Sequence, residues 1–147
     1  MEYNECIQKG FLKKIPIDKA KIKKELESAV YDLGRSQNSA ESSDYKWATV
    51  QGYYSIFHSF RALLFSVGLQ EKKHFAIGIV LEKLAMDKKI DPKLVGDFHA
   101  AMSAREDADY RDVYSRDTAE YIIEMAEDIL KDMMRSLRIS TKVRTKL

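Results

Sequence analysis

At 147 residues, 45% of them hydrophobic and 33% charged, the chain has the size and composition of one soluble globular domain, with no room for a second. Its lone cysteine, Cys6, excludes an intrachain disulfide, and no cysteine or histidine spacing reads as a zinc site, so a reducing cytoplasm without metal or cofactor is the expected setting. The formal net charge of +2 hides a segregation into a lysine-rich first segment (Lys9 to Lys24), an acidic stretch (Glu106 to Asp128) and a basic end (Arg138 to Lys146); basic ends can attract nucleic acid, and solvated helix faces explain the same pattern.

The amino terminus, MEYNECIQKGFLKK, carries acids before any apolar run and no small-residue cleavage site, so it does not read as a secretory signal. A short amphipathic piece, Tyr3 to Lys9, precedes Ile15-Pro16-Ile17, where the proline pushes its predecessor out of helical geometry. Asp18 can then cap a helix whose apolar face is Ile22, Leu26, Ala29 and Leu33, ending near Asn38. The following SQNSAESSD is rich in cap and turn formers and reads as a loop, with Ser43 or Asp44 as the next cap.

From Trp47 to Gly68 the sequence WATVQGYYSIFHSFRALLFSVG is apolar on two helical stripes. One runs through Trp47, Val50, Tyr54, Phe57, Arg61 and Leu64, the other through Tyr53, Ile56, Phe60, Leu63 and Val67. Gln51, His58 and Arg61 interrupt it before the roughly 20 apolar residues of a membrane span, so the expectation is a buried central helix. His58 reads as a satisfied core histidine, and Arg61 as needing an acidic or carbonyl partner from another helix. The stripe has apolar surface to spare, and the part around Tyr53 and Phe60 is a candidate dimer contact.

A shorter helix is expected from Phe75 to about Lys88, weakened by Gly78. Asp91-Pro92 marks the start of another, with Leu94, Phe98, Ala101, Arg105 and Ala108 on one face. A last helix is expected from a cap at Asp117-Thr118, its core face being Ile122, Met125, Ala126, Ile129, Met133 and Leu137. No run alternates as a strand would. The fold class is all-α: an up-and-down bundle of four main helices plus short helical pieces, with residues 1–139 as one domain and 140–147 as a basic flexible tail.

Glycine-rich phosphate loops, His-Glu-x-x-His and paired cysteine and histidine are absent, and His58, His74 and His99 are scattered. The sharper feature is Ala104-Arg105-Glu106-Asp107-Ala108-Asp109-Tyr110. At about 100° per residue, positions 105 and 110 differ by roughly 140° around a regular helix. For both to meet one phosphate, the helix must end or distort before Tyr110, or two chains must share the site. Ordinary packing explains the same residues: Arg105 paired with Asp109 one turn on, and Tyr110 with its ring packed and its hydroxyl exposed.

Taken with Tyr53-Tyr54-x-x-Phe57, Ala62-Leu63-Leu64-Phe65-x-x-Gly68, Lys73-His74 and the Cys6 to Pro16 segment, the motif resembles the HEPN superfamily, over about residues 3 to 135. The resemblance implies a HEPN-like helical bundle that forms a homodimer, and a metal-independent ribonuclease where an arginine is followed a few residues later by histidine. Here Arg105 matches the arginine, but Tyr110 stands at the histidine position and no histidine follows it. Tyrosine, with a reference pKa of about 10 against about 6.5 for histidine, is the poorer general base at neutral pH. The resemblance leaves two roles open. In one, Arg105 and Tyr110 are catalytic residues at a dimer-interface site, with His74 and Arg105 binding an RNA or nucleotide substrate, as in the ribonuclease toxin of a toxin–antitoxin pair. In the other, the protein is a non-catalytic binding or scaffold partner of a nucleotidyltransferase, which modifies Tyr110.

Overall fold

Gly10, at a φ of 75° that suits a residue without a Cβ, turns the chain from a short helix, α1 (Tyr3–Gln8), into a strand, β1 (Leu12–Lys14). The structure is a computed structural model describing residues 1–139 and 141. The expected basic tail, Thr141 apart, lies outside the described residues. β1 pairs antiparallel with β2 (Leu69–Glu71), Leu12 opposite Glu71 and Lys14 opposite Leu69. These two strands correct the expectation of a wholly strandless chain: three residues are too few to display an alternating pattern. Flanking hydrogen bonds, Ile15 amide to Gly68 carbonyl and Lys72 amide to Phe11 carbonyl, both 2.9 Å, lengthen the ladder.

The four main helices are α2 (Lys19–Glu41), α3 (Tyr45–Ser66), α5 (Lys93–Tyr110) and α6 (Arg116–Leu137), with the shorter α4 (Phe75–Met86) between α3 and α5. The all-α bundle expected from the periodicity is what the chain forms. Asp18 caps α2 by accepting from the Ala20 amide at 2.9 Å, and Asp44 caps α3 by accepting from the Trp47 amide at 3.3 Å. Asp91 accepts from the Lys93 amide at 2.9 Å as α5 begins.

α2 does not stop at Asn38. It runs on to Glu41, because the polar tract taken for a loop has partners on α3: the buried Ser36 hydroxyl donates to the Ala48 carbonyl at 2.6 Å, and the Ser39 hydroxyl lies 2.7 Å from the Gln51 amide. Further from the turn, the Ser55 hydroxyl donates to the Ala29 carbonyl at 2.8 Å, and His58 reaches Glu25. Partners that separate in sequence with distance from the turn define an antiparallel helix pair. α6 also starts earlier than expected, at Arg116, capped by Ser115, whose hydroxyl accepts from the Thr118 amide at 3.1 Å.

α3 is the centre of the bundle, lying against α2, α5 and α6. Tyr53, Ile56, Phe60 and Leu64 are fully buried, among Leu26 and Leu33 of α2, Phe98 of α5, and Ile122 and Leu130 of α6. Gly52 lets α6 come close: a Cβ there would lie 2.8 Å from Ile122 Cγ2. The expected central helix is therefore correct, with two revisions. Trp47, in the first turn, is 46% exposed, because α3 begins at the rim of the bundle. Tyr53 and Phe60 are spent on the monomer's own core and have no surface to offer a second copy. No described helix is long and apolar enough to cross a membrane.

Candidate functional site

α5 carries its apolar face, Leu94, Phe98, Ala101 and Ala108, into the core, and Arg105 rides at the edge of that face with a side chain only 15% exposed. Its guanidinium sits among three tyrosines. Arg105 Nη2 donates to the Tyr54 hydroxyl at 3.0 Å, and Cζ lies 5.5 Å from the ring centroids of both Tyr53 and Tyr54 and 5.2 Å from that of Tyr110. Asp109 approaches Nε at 3.6 Å, an ion pair too long for a hydrogen bond, and the buried Nε has no hydrogen-bond partner. A guanidinium has five N–H donors. Among the described residues, Arg105 commits a hydrogen bond to Tyr54 alone.

Tyr110 is the last residue of α5 and is 70% exposed. The helix neither ends nor distorts before it, yet the two side chains meet. An arginine is long, and a helical side chain leans back toward the amino terminus, so Tyr110 folds its ring onto the guanidinium despite the angle between their Cα positions. The ring packs on Arg105 and the residue remains open to solvent, as ordinary packing predicts.

His74 joins the same cluster from the residue preceding α4. Its Nδ1 is 2.9 Å from the Tyr53 hydroxyl, and its ring stacks on Phe57 with centroids 4.3 Å apart. Burial, followed by the neighbouring Arg105, Arg61 and His58, holds the imidazole pKa below its ordinary value. Burial pushes the Tyr53 hydroxyl pKa up, so that hydroxyl keeps its proton. The structure thus brings Arg105, Tyr110 and His74 together through Tyr53 and Tyr54. The sequence hid the part these two tyrosines play, since both fit the apolar stripes of a core helix. The available signal was the Tyr53-Tyr54-x-x-Phe57 pattern itself, which places two adjacent phenols on that helix.

The other candidates fall elsewhere. His58 contacts Glu25 through Nδ1 at 2.6 Å and Asp32 through Nε2 at 3.5 Å, while Arg61 binds Glu71 at 3.0 Å and approaches Glu25 at 3.6 Å. Burial raises the carboxyl pKa values of Glu71 and Asp32, and Arg61 and His58 respectively oppose that rise. This network fulfils the expectation of a satisfied His58 and an Arg61 with acidic partners, and it fastens α3 to α2 and β2. His99 faces Glu82 at 3.8 Å on the α4–α5 side. Among the described residues, no group of three or more His, Cys, Asp or Glu side chains is placed to hold a metal ion.

The tyrosine-walled guanidinium is suited to an anion with several acceptor oxygens, for which unused N–H donors and a neighbouring imidazole are available. A family model described as the HEPN domain matches residues 22–137, a span from the first turn of α2 to the end of α6 that includes every residue of the cluster. A protein of Methanocaldococcus jannaschii, named as a putative toxin, is 28% identical over 108 residues, covering 71% of this chain and 74% of the relative.

Proposed function

The chain belongs to the HEPN domain family, and from that premise we propose that it binds an RNA phosphate or a nucleotide at Arg105 and acts as the metal-independent ribonuclease toxin of a toxin–antitoxin pair. One observation carries this reading: Arg105 is nearly buried and, among the described residues, is hydrogen-bonded only to Tyr54 and faced by a single carboxylate that does not hydrogen-bond to it. A cation held this way is positioned without being neutralised. The toxin naming of the similar archaeal protein supports the biological setting. In the reaction, the ribose 2′-hydroxyl attacks the adjacent phosphate and the 5′-oxygen leaves, giving a cyclic phosphate, while Arg105 stabilises the charge gathering on the phosphoryl oxygens. Tyr110 offers a hydrogen bond to phosphate and an exposed ring face to a base. A homodimer about a two-fold axis would bring two such sites together. Incubation of the purified protein with mixed RNAs in EDTA tests the activity: cleavage that Arg105→Ala abolishes is expected, and intact RNA at high protein concentration would refute it.

A second reading rests on the exposure of Tyr110. A phenol 70% open to solvent at the end of a helix is accessible to a modifying enzyme, so Tyr110 is a candidate acceptor for a nucleotidyltransferase partner. Nucleotide on the ring would cover Arg105. Intact-mass measurement after co-expression with a neighbouring transferase should show one added nucleotide, lost in Tyr110→Phe.

A further inference from the structure

We propose that Tyr53 is a positioning residue whose hydroxyl donates to Nδ1 of His74, fixing the imidazole proton on Nε2 so that α3 and His74 together offer the ligand oxyanion a neutral N–H donor that α5 lacks. The inference rests on the reading of Arg105 as an anion site. Tyr53 is completely buried and, among the described residues, makes one side-chain hydrogen bond, 2.9 Å to His74 Nδ1. A buried hydroxyl that keeps its proton gives it to the acceptor in reach, and Nδ1 is that acceptor. The opposite arrangement, Nδ1–H donating to the phenol oxygen, would leave the buried O–H without an acceptor.

A neutral imidazole accepting at Nδ1 carries its proton at Nε2. Among the described residues Nε2 makes no hydrogen bond, and His74 is half-buried rather than sealed. Its ring orientation is fixed by stacking on Phe57, centroids 4.3 Å apart, and by the edge of Tyr54 at 6.4 Å. Tyr54 is also the hydroxyl that Arg105 binds, and the Arg105 guanidinium lies over both tyrosine rings. Tyr53 and Tyr54, adjacent in sequence, thus hold the two candidate donors, one each. An imidazole that stays neutral beside Arg105 adds a hydrogen bond for the anion without repelling the guanidinium.

Imidazole-nitrogen NMR on the full-length, 15N-histidine-labelled protein, combined with titration of a single-stranded RNA oligonucleotide, tests this. The wild type should show the Nε2–H tautomer at His74. Tyr53→Phe should lose that preference and weaken oligonucleotide binding by roughly two- to tenfold, the scale of one hydrogen bond. His74→Gln, whose amide can place an N–H near the Nε2 position, should keep most of the affinity that His74→Ala loses; this pair decides the matter if Tyr53→Phe does not fold. An Nδ1–H tautomer in the wild type, or a folded Tyr53→Phe with unchanged tautomer and affinity, overturns the proposal. If binding nevertheless depends on Arg105, the site reading survives that failure. An oligonucleotide that does not bind wild type defeats the site reading and the ligand half of this inference with it, whatever the tautomer.

Discussion

Among the described residues, Arg105 sits where three tyrosines and the Asp109 carboxylate converge, and that carboxylate is the neighbour that competes with an anionic ligand. Asp109→Asn removes that charge while preserving shape, so it should tighten oligonucleotide binding by about two- to fivefold, measurable by fluorescence anisotropy at fixed salt. His74 makes a second prediction. Its folded pKa lies below the unfolded value of about 6.5, so the unfolded chain binds more protons in that window. The stability due to neutral His74 is therefore fully present above about pH 6.5 and is lost as pH falls toward the folded pKa. Glu71 and Asp32, whose folded pKa values are raised, act in the opposite direction, gaining stability as acid protonates them. Comparing the melting temperatures of wild type and His74→Gln from about pH 7.5 to about pH 5.5 isolates the histidine: the wild type should lose more. At this scale the sequence singled out Arg105, Tyr110 and His74 as polar residues in motifs, and the structure places them in one cluster. It offered Tyr53 and Tyr54 only as part of an aromatic pattern and concealed their hydrogen bonds, because a phenol in an apolar stripe looks the same whether it fills a core or holds a partner.

Among the elements, α3 determines the rest, and Gly52 is the position where that helix is least forgiving. A Cβ would meet Ile122 Cγ2 at 2.8 Å and the Ser36 hydroxyl at 3.2 Å, against both α6 and α2. Gly52→Ala gains about 1 kcal/mol of helix propensity, but the overpacking costs about 1–3 kcal/mol, so net destabilisation is expected in urea unfolding. The helices were legible from their periodicity and caps, Asp18, Asp44 and Asp91 each bonding the backbone as expected. Two features were not. The end of α2 depends on Ser36 finding the Ala48 carbonyl, a contact across the helix hairpin that local propensity cannot express. The β1–β2 ladder depends on segments fifty-odd residues apart meeting, and neither is long enough to show a strand period.

For the molecule as a whole, one exposed apolar surface left for a second copy lies at the rim of the bundle where α3 begins, and not along the buried stripe of α3. Trp47, Tyr110, Val113 and Tyr114 are all exposed, and the Lys46–Asp112 ion pair at 2.8 Å ties the start of α3 to the link between α5 and α6. A dimer built there would set its interface beside Tyr110, so Val113→Asp should yield monomers by light scattering; an unaltered dimer would place the interface elsewhere. The bundle and its family were readable because helical period and motif order are properties of the chain itself. The dimer contact expected around Tyr53 and Phe60 fell on buried residues because two-sided apolarity cannot tell a helix at the centre of a core from one with a face to spare. The central claim is that Arg105 is a cation held ready for a phosphate, and titration of a single-stranded RNA oligonucleotide into wild type and Arg105→Ala tests it most directly. Saturable binding by the wild type, weakened at least about tenfold in a folded Arg105→Ala, is the predicted result. Equal affinity of the two proteins, or no binding by either, would contradict it.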